Sequence, residues 1–188
     1  MRVAVPAVQG AFAEQIAYFK AAGADAFEVR NLRDWENARA DALVLPGGES
    51  TVQRKLIRST GLFEPLEEAI ARGMPVFATC AGAILLARKI EGEEPFFGAL
   101  DIEIRRNGYG RQNESFSTSC TVWGIDDFPA TFIRAPTISA IGKDVEVVAR
   151  CNGMPTGVKC ARIIALAWHP ELSRDLRLGR KFLEMAAG

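Results

Sequence analysis

The sequence predicts an α/β fold in three layers, with helices on both faces of a doubly wound, mostly parallel sheet that carries an antiparallel extension. Two observations support that expectation. From residue 3 to residue 88, short apolar runs alternate with stretches of helical spacing, the pattern of successive crossovers between parallel strands. From Leu100 onward, strand-like runs follow one another across turns, with no helical stretch long enough for a crossover.

The apolar run 3–8 stops at Gln9-Gly10, and helical spacing through Phe12, Ile16, Phe19 and Lys20 follows as far as the stop signal Gly23. Residues 27–29 and 42–45 repeat the strand signal, with a short helix at 34–38 between them. The second of these strands ends in Pro46-Gly47-Gly48-Glu49. There Ser50-x-x-Gln53 reads as a capping box opening a helix to about Ser59. Residues 62–72 carry a helical pattern closed by Gly73. A strand at 75–79 then leads into Cys80 and a helix at 82–88. Strands are expected at 100–104, 116–122, 130–133, 145–150 and 163–168, and an amphipathic helix at 176–187 closes the chain through Leu178, Phe182 and Met185.

With 188 residues, 48% hydrophobic and 24% charged, the composition is that of one globular domain over residues 1–188. Its 23 basic residues balance 23 acidic ones, so no net field draws nucleic acid or an anionic membrane. The longest apolar-rich stretch, 76–87, is too short to span a bilayer. The start mimics a signal peptide, but Pro6 breaks the apolar run and Gln9 ends it, so a buried first strand and a cytoplasmic protein are expected. The four cysteines, Cys80, Cys120, Cys151 and Cys160, have neither a disulfide-scaffold pattern nor zinc-site spacing. A Cys151–Cys160 pairing across a hairpin stays open. No metal or cofactor is implied.

Cys80 stands where a strand gives way to a helix, with the small residues Ala81, Gly82 and Ala83 behind it. An elbow of this kind exposes the sulfur and aims helix amides at developing negative charge. A buried structural cysteine is the bland alternative. His169, the chain's one histidine, lies in Trp168-His169-Pro170-Glu171. Pro170 biases it toward extended backbone, and a spacing of two then places His169 and Glu171 on one side. Cysteine, histidine and carboxylate are the parts of a cysteine-based acyl-transfer site. A histidine beside a surface turn is the plain alternative.

Gly47-Gly48-Glu49-Ser50 reads either as a turn with a helix cap or as a loop whose amides, with that of Ala81, form an oxyanion hole. It lacks the Gly-Lys-Ser/Thr ending of a phosphate-binding loop. The run from Arg105 through Arg106 to Gln112 is a cationic turn, solvated by default, or a guanidinium clamp for the carboxylate of an amino acid.

Taken in order, Pro46-Gly-Gly-Glu-Ser-Thr51, Thr79-Cys80-Ala-Gly82, Arg106-Asn-Gly-Tyr-Gly-Arg-Gln112, Phe132-Ile-Arg-Ala-Pro136 and His169-Pro-Glu-Leu172 resemble the glutaminase-subunit family of pyridoxal 5'-phosphate synthase. This is a triad-type class I glutamine amidotransferase family with a flavodoxin-like fold, and the resemblance runs from Val3 to the final helix. It implies that Cys80 attacks the side-chain amide of L-glutamine, His169 protonates the departing ammonia and Glu171 holds His169. It further implies that Gly48, Glu49, Ser50, Arg106, Ile133 and Arg134 line the glutamine site, with Gly48 and Ala81 at the oxyanion. Ammonia would pass to a synthase subunit within a large ring assembly, and the glutaminase would be weak until docked.

The chain departs from the family's pattern in places. Pro6-Ala7-Val8 precede Gln9-Gly10 where the family usually has Leu-Gln-Gly, in a region that touches the synthase. Thr137 stands where histidine often follows Arg-Ala-Pro, and Tyr109 and Trp168 replace the usual phenylalanines. Other readings are a stand-alone cysteine hydrolase or chaperone of related fold, the glutaminase subunit of another synthase, and a non-catalytic assembly subunit. The first commonly has histidine after the elbow cysteine, and the glutaminase of histidine biosynthesis usually has leucine there. This chain has Ala81.

Overall fold

A computed structural model describes residues 1–106 and 115–188. The candidate clamp residues of the run 107–112, Tyr109 among them, lie outside the described residues. The amino-terminal half alternates strand and helix: β1 (Arg2–Pro6), α1 (Phe12–Ala22), β2 (Asp25–Val29), α2 (Leu32–Ala38), β3 (Ala42–Leu45), α3 (Ser50–Ser59), α4 (Phe63–Ala71), β4 (Val76–Thr79) and α5 (Ala81–Leu86). There follow β5 (Ala87–Ile90), β6 (Leu100–Arg105), β7 (Ser115–Val122), β8 (Ile125–Ile133), β9 (Thr137–Ile141), β10 (Glu146–Cys151), β11 (Met154–Cys160) and β12 (Ile163–Leu166). A 3₁₀ turn (Pro170–Leu172) and α6 (Arg177–Ala187) close the chain.

Among the described residues, the main sheet runs in the order β2-β1-β3-β4-β12-β11-β10-β7-β8. Its first five strands are parallel and the rest pair antiparallel. The expected extension is therefore present. It is joined by a separate three-stranded sheet, β5-β6-β9, in which β5 and β6 run parallel.

The inner parallel strands are buried on both faces, as β3 and β4 show by having every residue buried. Their alternation sorts the core into two layers. Leu43, Leu45, Val76 and Ala78 point toward Ile57, Leu66 and Leu85 on α3, α4 and α5. Val44, Phe77, Ile164 and Leu166 point toward Phe19 and Phe182 on α1 and α6. On that second face Phe19, Phe77 and Phe182 form a closed triangle of edge-on rings with centroids 5.2 to 5.7 Å apart, a favoured aromatic geometry.

Several sequence expectations need correction. The helix expected at 82–88 ends at Leu86, and Ala87–Ile90 form β5, because Ala87 and Ile90 bury against the small sheet while Arg88 and Lys89 face out. The strands β9 and β11 were not expected. The capping box at Ser50 is absent. Glu49 is the N-cap of α3, its carboxylate accepting from the amides of Thr51 and Val52 at 3.2 and 2.8 Å. Gln53 instead points inward and donates to the carbonyls of Gln9 and Pro46.

The Cys151–Cys160 pairing is also ruled out. Cys151 faces Met154 at the turn between β10 and β11, while Cys160 lies beyond Lys159 at the far end of that hairpin. All four cysteines are free. No helix among the described residues is long and apolar enough to cross a membrane.

Candidate active site

In a doubly wound sheet, loops at the carboxyl ends of strands diverge and open a crevice where the strand order reverses. Here β1 and β3 are neighbours with β2 outside β1, so the crevice opens between their ends. Gln9 and Ala11 follow β1, Gly47 to Ser50 follow β3, Cys80 follows β4 and His169 follows β12. These residues meet, with Ile84, Arg106, Ile133, Arg134 and Pro136, around one cleft of about 310 Å³.

Cys80 is the residue between β4 and α5, and its backbone adopts φ 47° and ψ −103°. A residue with a Cβ rarely takes that conformation, and holding it there costs on the order of 1 to 3 kcal/mol. The surroundings enforce it. The Cys80 amide donates to Leu166 in β12 at 2.8 Å, and its carbonyl accepts from Ala83 and Ile84 in the first turn of α5 at 3.1 and 3.3 Å. The thiol lies 4.0 Å from the Ile133 carbonyl at the end of β8. Contrary to the exposed elbow expected from sequence, only 6% of Cys80 is accessible, and that part opens into the cleft.

His169 is fixed from three sides. Its amide donates to Thr131 of β8 at 2.9 Å. Its ring packs on the backbone of Gly47, where a Cβ would come within 2.2 Å of Cε1, so only glycine admits the imidazole there. Its Nδ1 is 2.7 Å from Oε1 of Glu171, whose side chain is fully buried. The pairing expected from sequence is present for a different reason. His169 has φ −116° and ψ 89°, at the margin of the extended region, but Glu171 sits in the 3₁₀ turn that Pro170 opens, and that turn brings the carboxylate back to Nδ1.

Burial works against a charged imidazole at His169. Hydrogen bonding to Cys80 and Glu171, and the charge of Glu171, outweigh it and raise the pKa from 6.5 to about 10. With Glu171 on Nδ1, Nε2 is left for Cys80 and the cleft. The imidazolium is thus the resting form at neutral pH, a ready proton donor beside the Cys80 sulfur.

Every residue expected to line a glutamine site borders the cleft: Gly48, Glu49, Ser50, Arg106, Ile133 and Arg134. Ala81 is buried directly behind Cys80. Glu49 joins the two sides of the cleft, capping α3 while its Oε1 lies 2.8 Å from Nη2 of Arg106. Burial opposes its charge, but the Val52 and Thr51 amides and Arg106 prevail and hold its pKa below the usual range. Sequence reasoning missed Gln9, whose Oε1 accepts from the Glu49 amide at 2.8 Å, and the packing of Ile84 and Pro136 into the walls. The one signal for Gln9 was its place at the end of the first apolar strand.

A buried cysteine on an elbow, a histidine and carboxylate pair facing it, and a cleft at the switch point of a flavodoxin-like sheet define a class: α/β proteins of the glutamine amidotransferase type. The chain belongs to the SNO glutamine amidotransferase family, whose model matches residues 5–187. It is similar to a relative from Methanocorpusculum labreanum named pyridoxal 5'-phosphate synthase subunit PdxT, 46% identical over 188 residues and covering 100% of this chain and 99% of the relative. A relative of the same name from Desulfitobacterium hafniense is 46% identical and covers 100% of this chain and 94% of its own. A crystal structure described as a glutamine amidotransferase superposes with a TM-score of 0.92 at 41% identity, covering all of both chains. The structure of PurLQS from Thermotoga maritima shares the fold alone, with a TM-score of 0.60 at 17% identity over 98% of this chain and 95% of that one.

Proposed function

We propose that this chain is the glutaminase subunit of a pyridoxal 5'-phosphate synthase, releasing ammonia from L-glutamine at Cys80 for use by a synthase subunit. The observation that carries the reading is the convergence of Cys80, the His169–Glu171 pair and the residues from Gly48 to Ser50 on one cleft of a glutamine amidotransferase fold. Relatives named for that subunit match it along its whole length.

In the reaction, the proton of Cys80 rests on His169, and the Cys80 thiolate attacks the side-chain amide carbon of glutamine. The oxygen that gains charge is met by the amides of Ala81 and Gly48. His169 gives its proton to the amide nitrogen, the carbon–nitrogen bond breaks, and ammonia leaves a glutamyl thioester on Cys80. His169, now neutral, takes a proton from water as that water attacks the thioester. The carbon–sulfur bond breaks, glutamate departs and the starting pair is restored. Glu171 keeps the imidazole oriented and its positive form stable throughout. Arg106 takes the α-carboxylate of glutamine, while Glu49, Ser50, Ile133 and Arg134 shape the rest of the site. The synthase subunit docks near residues 6–10 in a large hetero-oligomer. Gln9 then connects that edge directly to the Glu49 amide.

Glutamate release from L-glutamine, measured with and without a pyridoxal 5'-phosphate synthase subunit, tests the reading against a Cys80→Ala control. Release that depends on Cys80 and rises with the synthase is expected. Release insensitive to the synthase would assign the chain to another ammonia acceptor, and none in either mixture would make it a non-catalytic member of an assembly.

A further inference from the structure

Arg106 does not face the cleft unaided. Its Nη2 lies 2.8 Å from Glu49, its Nη1 donates to the Thr51 hydroxyl at 3.1 Å, and the same Nη1 pairs with Oε1 of Glu93. Glu93 belongs to the tight turn after β5, where its amide donates to Ile90 at 3.2 Å. Its second oxygen, Oε2, accepts from Nη1 of Arg54 on α3 at 3.1 Å. Arg54 is anchored in turn, donating to the Glu94 carbonyl at 2.8 Å with its guanidinium 5.4 Å from the centre of the Phe96 ring. The two oxygens of Glu93 are therefore divided between two arginines. Glu93 and Arg54 border a neighbouring groove, not the cleft that Arg106 and Glu49 line, so Glu93 reaches Arg106 from behind.

We propose that Glu93, held by Arg54, is a positioning residue that fixes the Arg106 guanidinium at the mouth of the cleft and so sets the affinity for the α-carboxylate of the substrate without touching it. This rests on the proposed function, in which Arg106 binds that carboxylate. A long side chain that is already held loses less freedom when it binds, which strengthens the contact it makes. A second carboxylate on the same cation would by itself compete with the substrate's. Arg54 offsets the charge of Glu93, however, and the chain Arg54, Glu93, Arg106, Glu49 alternates in sign and sums to zero. Restraint of Arg106 is the effect that remains.

The test is steady-state glutaminase kinetics of the full chain with its synthase subunit. Glu93→Ala is expected to raise KM for glutamine by about 5- to 20-fold, with kcat within about twofold of wild type. Glu93→Gln, which keeps an acceptor for Arg106, is expected to recover most of the loss. In the Arg106→Ala background, Glu93→Ala should add nothing further to KM. An unchanged or lowered KM for Glu93→Ala, or full additivity with Arg106→Ala, would overturn the proposal. Should Glu93→Ala fail to fold, Arg54→Ala supplies the same readout, since freeing Glu93 is expected to raise KM too. An Arg106→Ala variant with unaltered KM would instead overturn the role of Arg106 itself, which separates the two failures.

Discussion

Nδ1 of His169 and Oε1 of Glu171 lie 2.7 Å apart with both side chains buried, so the carboxylate fixes both the orientation and the charge of the imidazole. Replacing Glu171 by Gln keeps the size and removes the charge. The expected result is a kcat lower by roughly 10² to 10⁴, the usual worth of a positioned acid–base group, with KM for glutamine little altered. Steady-state kinetics beside a circular dichroism spectrum checks this, and unchanged turnover would remove Glu171 from the mechanism.

His169 is the chain's single histidine, so its ring gives one Cε1–H signal, free of overlap from other histidines, whose titration reads the site directly. Wild type is expected to titrate near 10, and both Cys80→Ala and Glu171→Gln to titrate lower, because each loses a group that raises the value against burial. The same shift governs stability. The folded state binds this proton more tightly than the unfolded chain, whose value is 6.5. The contribution is complete below pH 6.5 and is lost as pH rises through about 10. Denaturant midpoints across that window should fall for wild type and fall less steeply for His169→Gln. Parallel slopes would contradict the shift.

Much of this architecture was legible in the sequence because parallel strands buried on both faces read as unbroken apolar runs, as at 42–45 and 75–79. The elbow at Cys80 and the partner His169 were legible as strand ends. What escaped reading has physical causes. Ala87 looks like the last turn of the helix expected at 82–88 because it follows Ala83 and Ile84 at helical spacing, and only the neighbouring β6 decides for a strand. Ser50 and Gln53 match a capping pattern, but both are buried, and Gln53 is spent on carbonyls from two other segments. The contacts of Glu93 with Arg54 and Arg106 span 39 and 13 residues, and no local pattern announces them.

Cys80 carries a positive φ that a Cβ resists, so chemistry and stability are opposed at this position. Cys80→Gly is expected to lack glutaminase activity yet to be more stable than Cys80→Ala by about 1 kcal/mol, since alanine keeps the strain and glycine relieves it at some cost in unfolded-chain entropy. Paired denaturation curves decide the matter. A Gly variant less stable than the Ala variant would mean that the elbow stores no strain.

Gly10 connects the end of β1 to the loop after β3. Its φ is 93°, and a Cβ there would stand 2.0 Å from the Gly47 carbonyl oxygen and 2.8 Å from the Gly48 Cα, both backbone atoms that cannot rotate away. The next amide, Ala11, donates to that same Gly47 oxygen at 2.9 Å. Gly10→Ala must therefore push the two loops apart, at a cost of about 1 to 3 kcal/mol. Because Gly47 also backs the His169 ring and Gly48 faces the cleft, the displacement should reach the chemistry, lowering kcat as well as stability. Ala13→Gly, at an exposed position in the first turn of α1 and outside the cleft lining, serves as the control, with kcat expected within about threefold of wild type. If Gly10→Ala lost stability but kept full kcat, the loop after β3 would tolerate movement, and the fixed placement of Gly47 and Gly48 would not be what the reaction requires.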